Sequence, residues 1–240
     1  MLNYLRLPCR FDAISMQHEL AQWCSGNWQQ HYQKLHYEGN WSAIPLRSVG
    51  GKSDDIFISP VENAGYLDTA FLQQSPYLQQ VLAYFKCPLL AVRMLKLDAG
   101  ALIKEHRDAD LCYEKGEVRL HIPVITHPDV EFYSNRERID MKEGECWYIN
   151  FNLTHSIRNN SPVNRVHLVI DAKVNDFIHE LFADPSITIK KESEVKQGPD
   201  DSTKKMMIEN LRAMNTATSL RMADELEKEL AGTTLTIPEQ

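Results

Sequence analysis

Glu105-His106-Arg107-Asp108 places an imidazole and a carboxylate two residues apart, and positions i and i+2 of an extended strand point to the same face. A second histidine, His155, follows the run ECWYINF by a few residues, where it would lie near a strand end and approach the first pair if the sheet folds back. Two histidines and one carboxylate form the facial triad that holds non-haem iron(II) and leaves three positions of an octahedral ion open. Taken alone, His-x-Asp is a weak signal in a chain with nine histidines. A surface histidine beside a charged loop is the plainer alternative.

Two further pieces repeat one pattern. Arg119-Leu120-His121 and Arg165-Val166-His167 each put a guanidinium and an imidazole on one strand face and apolar residues on the other. In an open sandwich this reads as polar-out and apolar-in. In a closed barrel the polar face would line a cavity, where an isolated buried charge is prohibitively costly. The arginines would then hold an anion, and a guanidinium fork matches a carboxylate. A metal triad beside two arginines suits a dicarboxylate co-substrate.

The elements that must position these groups are short strands. From Leu89 to Ala172 the runs LLAVRMLKL, VRLHIPVIT, VEFYS, ECWYINF and RVHLVIDA are separated by turn formers, which predicts a sandwich or barrel. Residues 1–88 read as a mostly helical region packing on that core, with Asp12 and Ser75-Pro76 as helix starts and a β-rich stretch from Asn40 to Val49. Residues 173–240 read as a helical extension. Val174 to Phe182 is a short helix, about 190–203 a charged exposed linker, and the last segment an amphipathic helix carrying Met207, Leu211, Met214, Met222, Leu226 and Leu230. That stripe is expected to pack on the core or on a second subunit, as in a homodimer.

Composition narrows the function classes. With 240 residues, 43% hydrophobic and 25% charged, the chain is ordinary globular material. No apolar run approaches the roughly 20 residues of a membrane span, and the first residues lack a secretory pattern. The net charge is -7 and the lysines and arginines are scattered, which argues against a nucleic-acid partner. Five cysteines without a CxxC pair suggest a reduced, cytoplasmic protein.

In order along the chain, His106-Arg107-Asp108, VRLHIPV (118–124), VEFY (130–133), MKEGECWY (141–148), HSIRNNS (155–161) and RVHLVID (165–171) resemble the aspartyl/asparaginyl β-hydroxylase family of Fe(II)- and 2-oxoglutarate-dependent dioxygenases. The likeness spans about residues 90 to 172 and touches WSAIPLRSVGG (41–51) more loosely. It implies a mainly β fold with flanking helices around a double-stranded β-helix, a jelly-roll, cupin-like core. By the same resemblance His106, Asp108 and His155 would ligate Fe(II), and Arg165 would pair with the distal carboxylate of 2-oxoglutarate. Arg119 and His121 match positions that also contact the co-substrate. O2 is the remaining reactant, and the implied activity is hydroxylation of an unactivated C–H bond, with an Asp/Asn-type residue as first expectation. Some members lack the metal-binding carboxylate, and Asp108 restores it. That makes the chain look closer to bacterial members, among which free amino-acid hydroxylases such as proline hydroxylases occur.

The substrate is therefore a small amino acid or a peptide or protein side chain, with Arg47, Arg93 and Arg158 as candidate contacts. A zinc hydrolase using the same three ligands and a non-catalytic cupin-like binding protein are the readings from other classes. The first would not need Arg165.

Overall fold

The structure, a computed structural model, describes residues 1–61, 63–187, 190–191, 201–214 and 216–232. In chain order it comprises β1 (Leu2–Arg10), α1 (Ala13–Trp23), β2 (Gln29–Gln30), β3 (Tyr37–Glu38), β4 (Trp41–Val49), β5 (Tyr66–Asp68), α2 (Ala70–Gln73), α3 (Pro76–Tyr84), β6 (Leu89–Leu97) and β7 (Leu102–His106). There follow β8 (Glu117–Ile125), β9 (Val130–Ser134), β10 (Glu137–Ile139), β11 (Glu145–Ile149), β12 (His155–Asn159), β13 (Arg165–Lys173), α4 (Asp176–Phe182), β14 (Lys190–Lys191), α5 (Asp201–Met214) and α6 (Ala217–Gly232).

The strands form two antiparallel sheets. The major sheet runs β14-β1-β11-β8-β13-β6-β4-β2, with β5 paired to β4, and the minor sheet runs β10-β9-β12-β7-β3. This is the jelly-roll, double-stranded β-helix expected from the sequence. Alternation along each strand divides the core in two. Outward from the major sheet, Leu120, Ile122, Val166, Leu168 and Ile170 pack with Met16 and Leu20 of α1, Leu78 and Val81 of α3, and Ile178 of α4. Between the sheets, Trp41, Leu95, Ile103, Phe132, Ile149, Phe151, Ile157 and Val169 form a second cluster. Central strands are therefore buried on both faces, and their inner face is free to carry polar groups.

The N-terminal region is less helical than its sequence suggests. β1 pairs with β11 and β4 with β6, so two nine-residue strands before residue 50 complete the major sheet. In β1, Leu5 and Leu7 join the outer core while Tyr4 faces the inner one. Proline and arginine within LNYLRLPCR mask this alternation.

Helix starts follow the sequence at one end and depart from it at the other. Asp12 caps α1 by accepting from the amides of Ile14 and Ser15. At α3, Pro76 occupies the first turn as expected, but Ser75 makes no capping bond. Buried Glu19 of α1 takes that role, accepting from the amides of Tyr77 at 2.7 Å and Leu78 at 2.9 Å.

Gly144 closes the turn into β11. Its φ is +76°, and a Cβ there would lie 2.2 Å from the carbonyl oxygen of Phe11. Its own carbonyl accepts from Phe11 N–H at 2.8 Å, and its N–H donates to Pro123.

Residues Met1–Glu192 form one unit and Ser193–Gln240 another. The second holds two helices where the sequence predicts one. The break has a local cause: Thr216 and Ser219 cap α6 reciprocally, each hydroxyl accepting the other's amide at 3.1 and 3.0 Å. Met207, Leu211, Met214, Met222 and Leu226 line a cleft shared by α5 and α6. Of the linker expected at about 190–203, Lys190 and Lys191 pair with β1 and the last three residues begin α5. Residues 192–200 lie outside the described residues. Among the described residues no helix is long and apolar enough to cross a membrane.

Candidate metal centre

His106 ends β7 and His155 begins β12, and the two are cross-strand partners in the minor sheet. Their ring centroids are 4.2 Å apart. His106 Nδ1 lies 2.7 Å from the Lys104 carbonyl and His155 Nδ1 lies 3.1 Å from that of Leu153. A carbonyl only accepts, so each Nδ1 carries a proton and each Nε2 is the nitrogen left to face a metal. Asp108 joins them from beyond the strand. The i, i+2 placement expected on one strand face is replaced by a turn, fixed by Asp108 N–H donating to Phe151 at 2.9 Å. Ligand atoms of His106, Asp108 and His155 all lie within 4.8 Å of one another.

The charge states match those of a metal site. Burial works against ionisation of Asp108, but the Arg119 guanidinium and the two neighbouring histidines hold its carboxyl below the usual range. Burial, then the neighbouring His106, pulls His155 down to about 4. Two lone pairs and a carboxylate converging on one point are the donor set of a divalent transition metal, so the residues present fit iron(II). The backbone carbonyls behind both histidines fix tautomer and ring direction.

Arg119 on β8 spans two carboxylates. Its Nη1 donates to Asp108 Oδ2 at 2.8 Å, and its Nε and Nη2 donate to Asp171 Oδ1 and Oδ2 at 2.6 and 3.1 Å. Asp171 on β13 also accepts from Arg93 Nη2 at 3.0 Å. The register puts Asp171 directly opposite Arg119. Burial penalises the charge on Arg119, yet the adjacent Asp171 and Asp108 carboxylates push its affinity for its proton higher still.

Arg165 is different. It is 2% exposed, donates Nη2 to His167 Nδ1 at 2.8 Å, and leaves Nε without a partner. Burial alone lowers its pKa to about 9. His167 Nδ1 also lies 3.3 Å from His121 Nδ1, and His121 Nε2 is unpartnered in turn. Burial and then Arg165 hold both imidazoles well below their ordinary range, hence neutral.

These groups line two adjoining spaces. The inner one is bounded by the three candidate ligands with Arg119, His121, Arg165 and Phe151. The outer one, about 330 Å³, is lined by His31, Tyr32, Arg93, Arg107, Glu117 and Asp171, and Trp41, Leu95, Asp108 and Arg119 border both. Its aromatic wall is a stack: His31 lies 3.5 Å from Trp41 and 4.5 Å from Tyr32, which in turn lies 4.6 Å from Phe57. Burial carries the His31 pKa down to about 3.

Of the arginines considered for substrate, only Arg93 borders these spaces, and it is held by Asp171. Arg47 pairs with Asp68 and the Tyr66 carbonyl at the β4–β5 edge, and Arg158 is exposed on β12. Neither borders either space. Arg119 lies beside the candidate metal ligands, and its Nε and both Nη nitrogens already meet carboxylates. Asp171, His31 and Arg107 also border the outer space, and none of them stood out in the sequence. For Asp171 a signal existed, since it shares the alternation of Arg165 and His167.

A family model described as Aspartyl/Asparaginyl beta-hydroxylase matches residues 11–174, more than half of the chain. An L-proline cis-3-hydroxylase from Streptomyces sp is 27% identical over 154 residues, covering 62% of this chain and 53% of that protein. An L-proline cis-4-hydroxylase from Rhizobium meliloti (strain 1021) is 30% identical over 142 residues, covering 58% and 50%. The chain thus spans about half the length of these curated relatives. Among solved structures, a 2OG-Fe(II) oxygenase family oxidoreductase from Burkholderia pseudomallei superposes with a TM-score of 0.48 at 13% identity, over 72% of this chain and 86% of that one.

Proposed function

The chain belongs to the aspartyl/asparaginyl beta-hydroxylase family, and from that premise we propose that it is an Fe(II)- and 2-oxoglutarate-dependent dioxygenase that hydroxylates a free amino acid. The observation that carries this reading is Arg165, a fully buried guanidinium with no carboxylate partner among the described residues, bordering the same space as His106, Asp108 and His155. A buried cation without a counter-ion calls for an anionic ligand, and a zinc hydrolase has no use for one. His106, Asp108 and His155 would hold iron, and Arg165, with His121 and His167 behind it, would hold a carboxylate of 2-oxoglutarate. Bound together, iron and co-substrate supply the oxidising power that lets O2 hydroxylate an unactivated C–H bond. The protein orients the reactants and keeps water out.

The outer space holds the substrate in this reading. Its volume is at the small end of ligand sites, which favours a free amino acid such as proline over an Asp or Asn side chain of a folded protein. The names of the two relatives support the same choice. A cytoplasmic location goes with it, supported by five unpaired cysteines. A homodimer through the C-terminal helices is supported by exposed Met206, Met207, Met214 and Met222. The test is succinate formation from 2-oxoglutarate with Fe(II), ascorbate and O2, screened over free amino acids and short Asp- or Asn-containing peptides. Stimulation by a free amino acid is expected; stimulation by peptides alone would reverse the choice of substrate, and none at all would remove the activity.

A further inference from the structure

Resting on the reading of His106, Asp108 and His155 as metal ligands, we propose that Asp171 is a positioning residue for the metal site, acting through Arg119 to leave one oxygen of Asp108 free. A guanidinium offers a rigid fork of donors, and two of its edges match carboxylates bidentately. In this chain the edge formed by Nε and Nη2 is filled by Asp171, at 2.6 and 3.1 Å. Of the second edge, Nη1 and the remaining Nη2 hydrogen, only Nη1 meets Asp108, donating to Oδ2 at 2.8 Å. Oδ1 therefore stays on the side of the histidines, 3.9 Å from His106 Nε2.

Without Asp171 the same guanidinium would be free to turn and fork onto Asp108, drawing both carboxylate oxygens away from the metal. Geometry keeps it from turning. Arg119 and Asp171 are register partners in adjacent strands, both side chains are nearly sealed from solvent, and Arg93 pins Asp171 Oδ2 from β6 at 3.0 Å. The arrangement is a chain of alternating charge, Arg93, Asp171, Arg119 and Asp108, whose last member is a metal ligand. Asp171 borders the outer space but is 2% exposed, with both oxygens already accepting from arginines, so its task is orientation rather than contact with a reactant.

Removing one charge from a buried chain of four threatens folding, so the test uses two variants. Asp171→Asn is paired with the charge-balanced Arg93→Gln/Asp171→Asn, and Arg93→Gln alone is the control. Co(II) binding to the full chain is followed by calorimetry and by the visible absorption of the bound ion, which reports its ligand set independently of turnover. The expected result is Co(II) affinity at least tenfold weaker in the double variant than in Arg93→Gln alone, with an altered visible spectrum. A folded double variant with unchanged affinity and spectrum overturns the proposal. Equal weakening by Arg93→Gln alone overturns it too, since the loss would not be that of Asp171. If the natural protein binds Co(II) no better than His106→Ala, the metal reading itself falls.

Discussion

Arg165 and His167 lie two residues apart on β13, and the guanidinium of the first donates to Nδ1 of the second at 2.8 Å. A neutral imidazole orients the arginine without neutralising it, so its charge remains available to a ligand. Arg165→Ala is expected to raise the apparent requirement for 2-oxoglutarate by about 10- to 100-fold, the worth of one hydrogen bond to a charged group. Arg165→Lys should recover only part of this, because an ammonium lacks the fork. Succinate formation against 2-oxoglutarate concentration measures both, and an unshifted curve for Arg165→Ala would place the anchor elsewhere.

His106→Ala, Asp108→Ala and His155→Ala should each abolish 2-oxoglutarate turnover while leaving the fold intact, since the two apolar clusters lie largely outside the triad. Chelation should do the same and Fe(II) should reverse it. Circular dichroism with the turnover assay separates loss of iron from loss of structure; turnover persisting after His106→Ala contradicts the assignment.

Buried histidines tie stability to pH. Burial keeps His31, His121 and His167 uncharged in the folded protein, with His31 lowered to about 3. An unfolded histidine takes up its proton near pH 6.5, so the folded state binds fewer protons below that point. Stability is complete above about pH 6.5 and falls as the pH drops, by up to about 1.4 kcal/mol per pH unit for each group. Urea midpoints at pH 7.5 and 5.5 should differ accordingly, and His31→Phe should flatten the slope. A midpoint unchanged over that interval would falsify the neutral assignment.

Glu19 joins α1 to α3 by accepting two amide hydrogens at the start of α3. Glu19→Ala would leave both donors buried and unpaired, at a cost of about 2 kcal/mol, with Glu19→Gln intermediate because one acceptor oxygen survives. Denaturant unfolding of the two variants tests the order; equal stability of all three proteins would exclude the bridge.

The sequence exposed the site more readily than the frame around it. His106, Asp108, His155, Arg119, His121 and Arg165 fall in short runs whose order along the chain is characteristic, and all six border one space. Alternation on β8 and β13 was legible as well, but not which face looked inward. The apolar face lies under α1, α3 and α4, and the polar face lines the barrel, the reverse of a solvated sheet. The role of Asp171 depended on the register of β13 against β8, a long-range pairing that no local pattern specifies. The helix break before Thr216 turned on two hydroxyls, too small a feature to stand out within an otherwise continuous apolar stripe.

The turn before β11 has a consequence for which sequences this fold accepts. The carbonyl of Phe11 occupies the volume that any side chain on residue 144 would fill. Alanine there would collide with the Phe11 carbonyl and displace the connection between the first strand and the first helix. Only glycine meets both the positive φ and the close contact at position 144, so the connection leaving the first strand seats against this turn because of an atom that is missing.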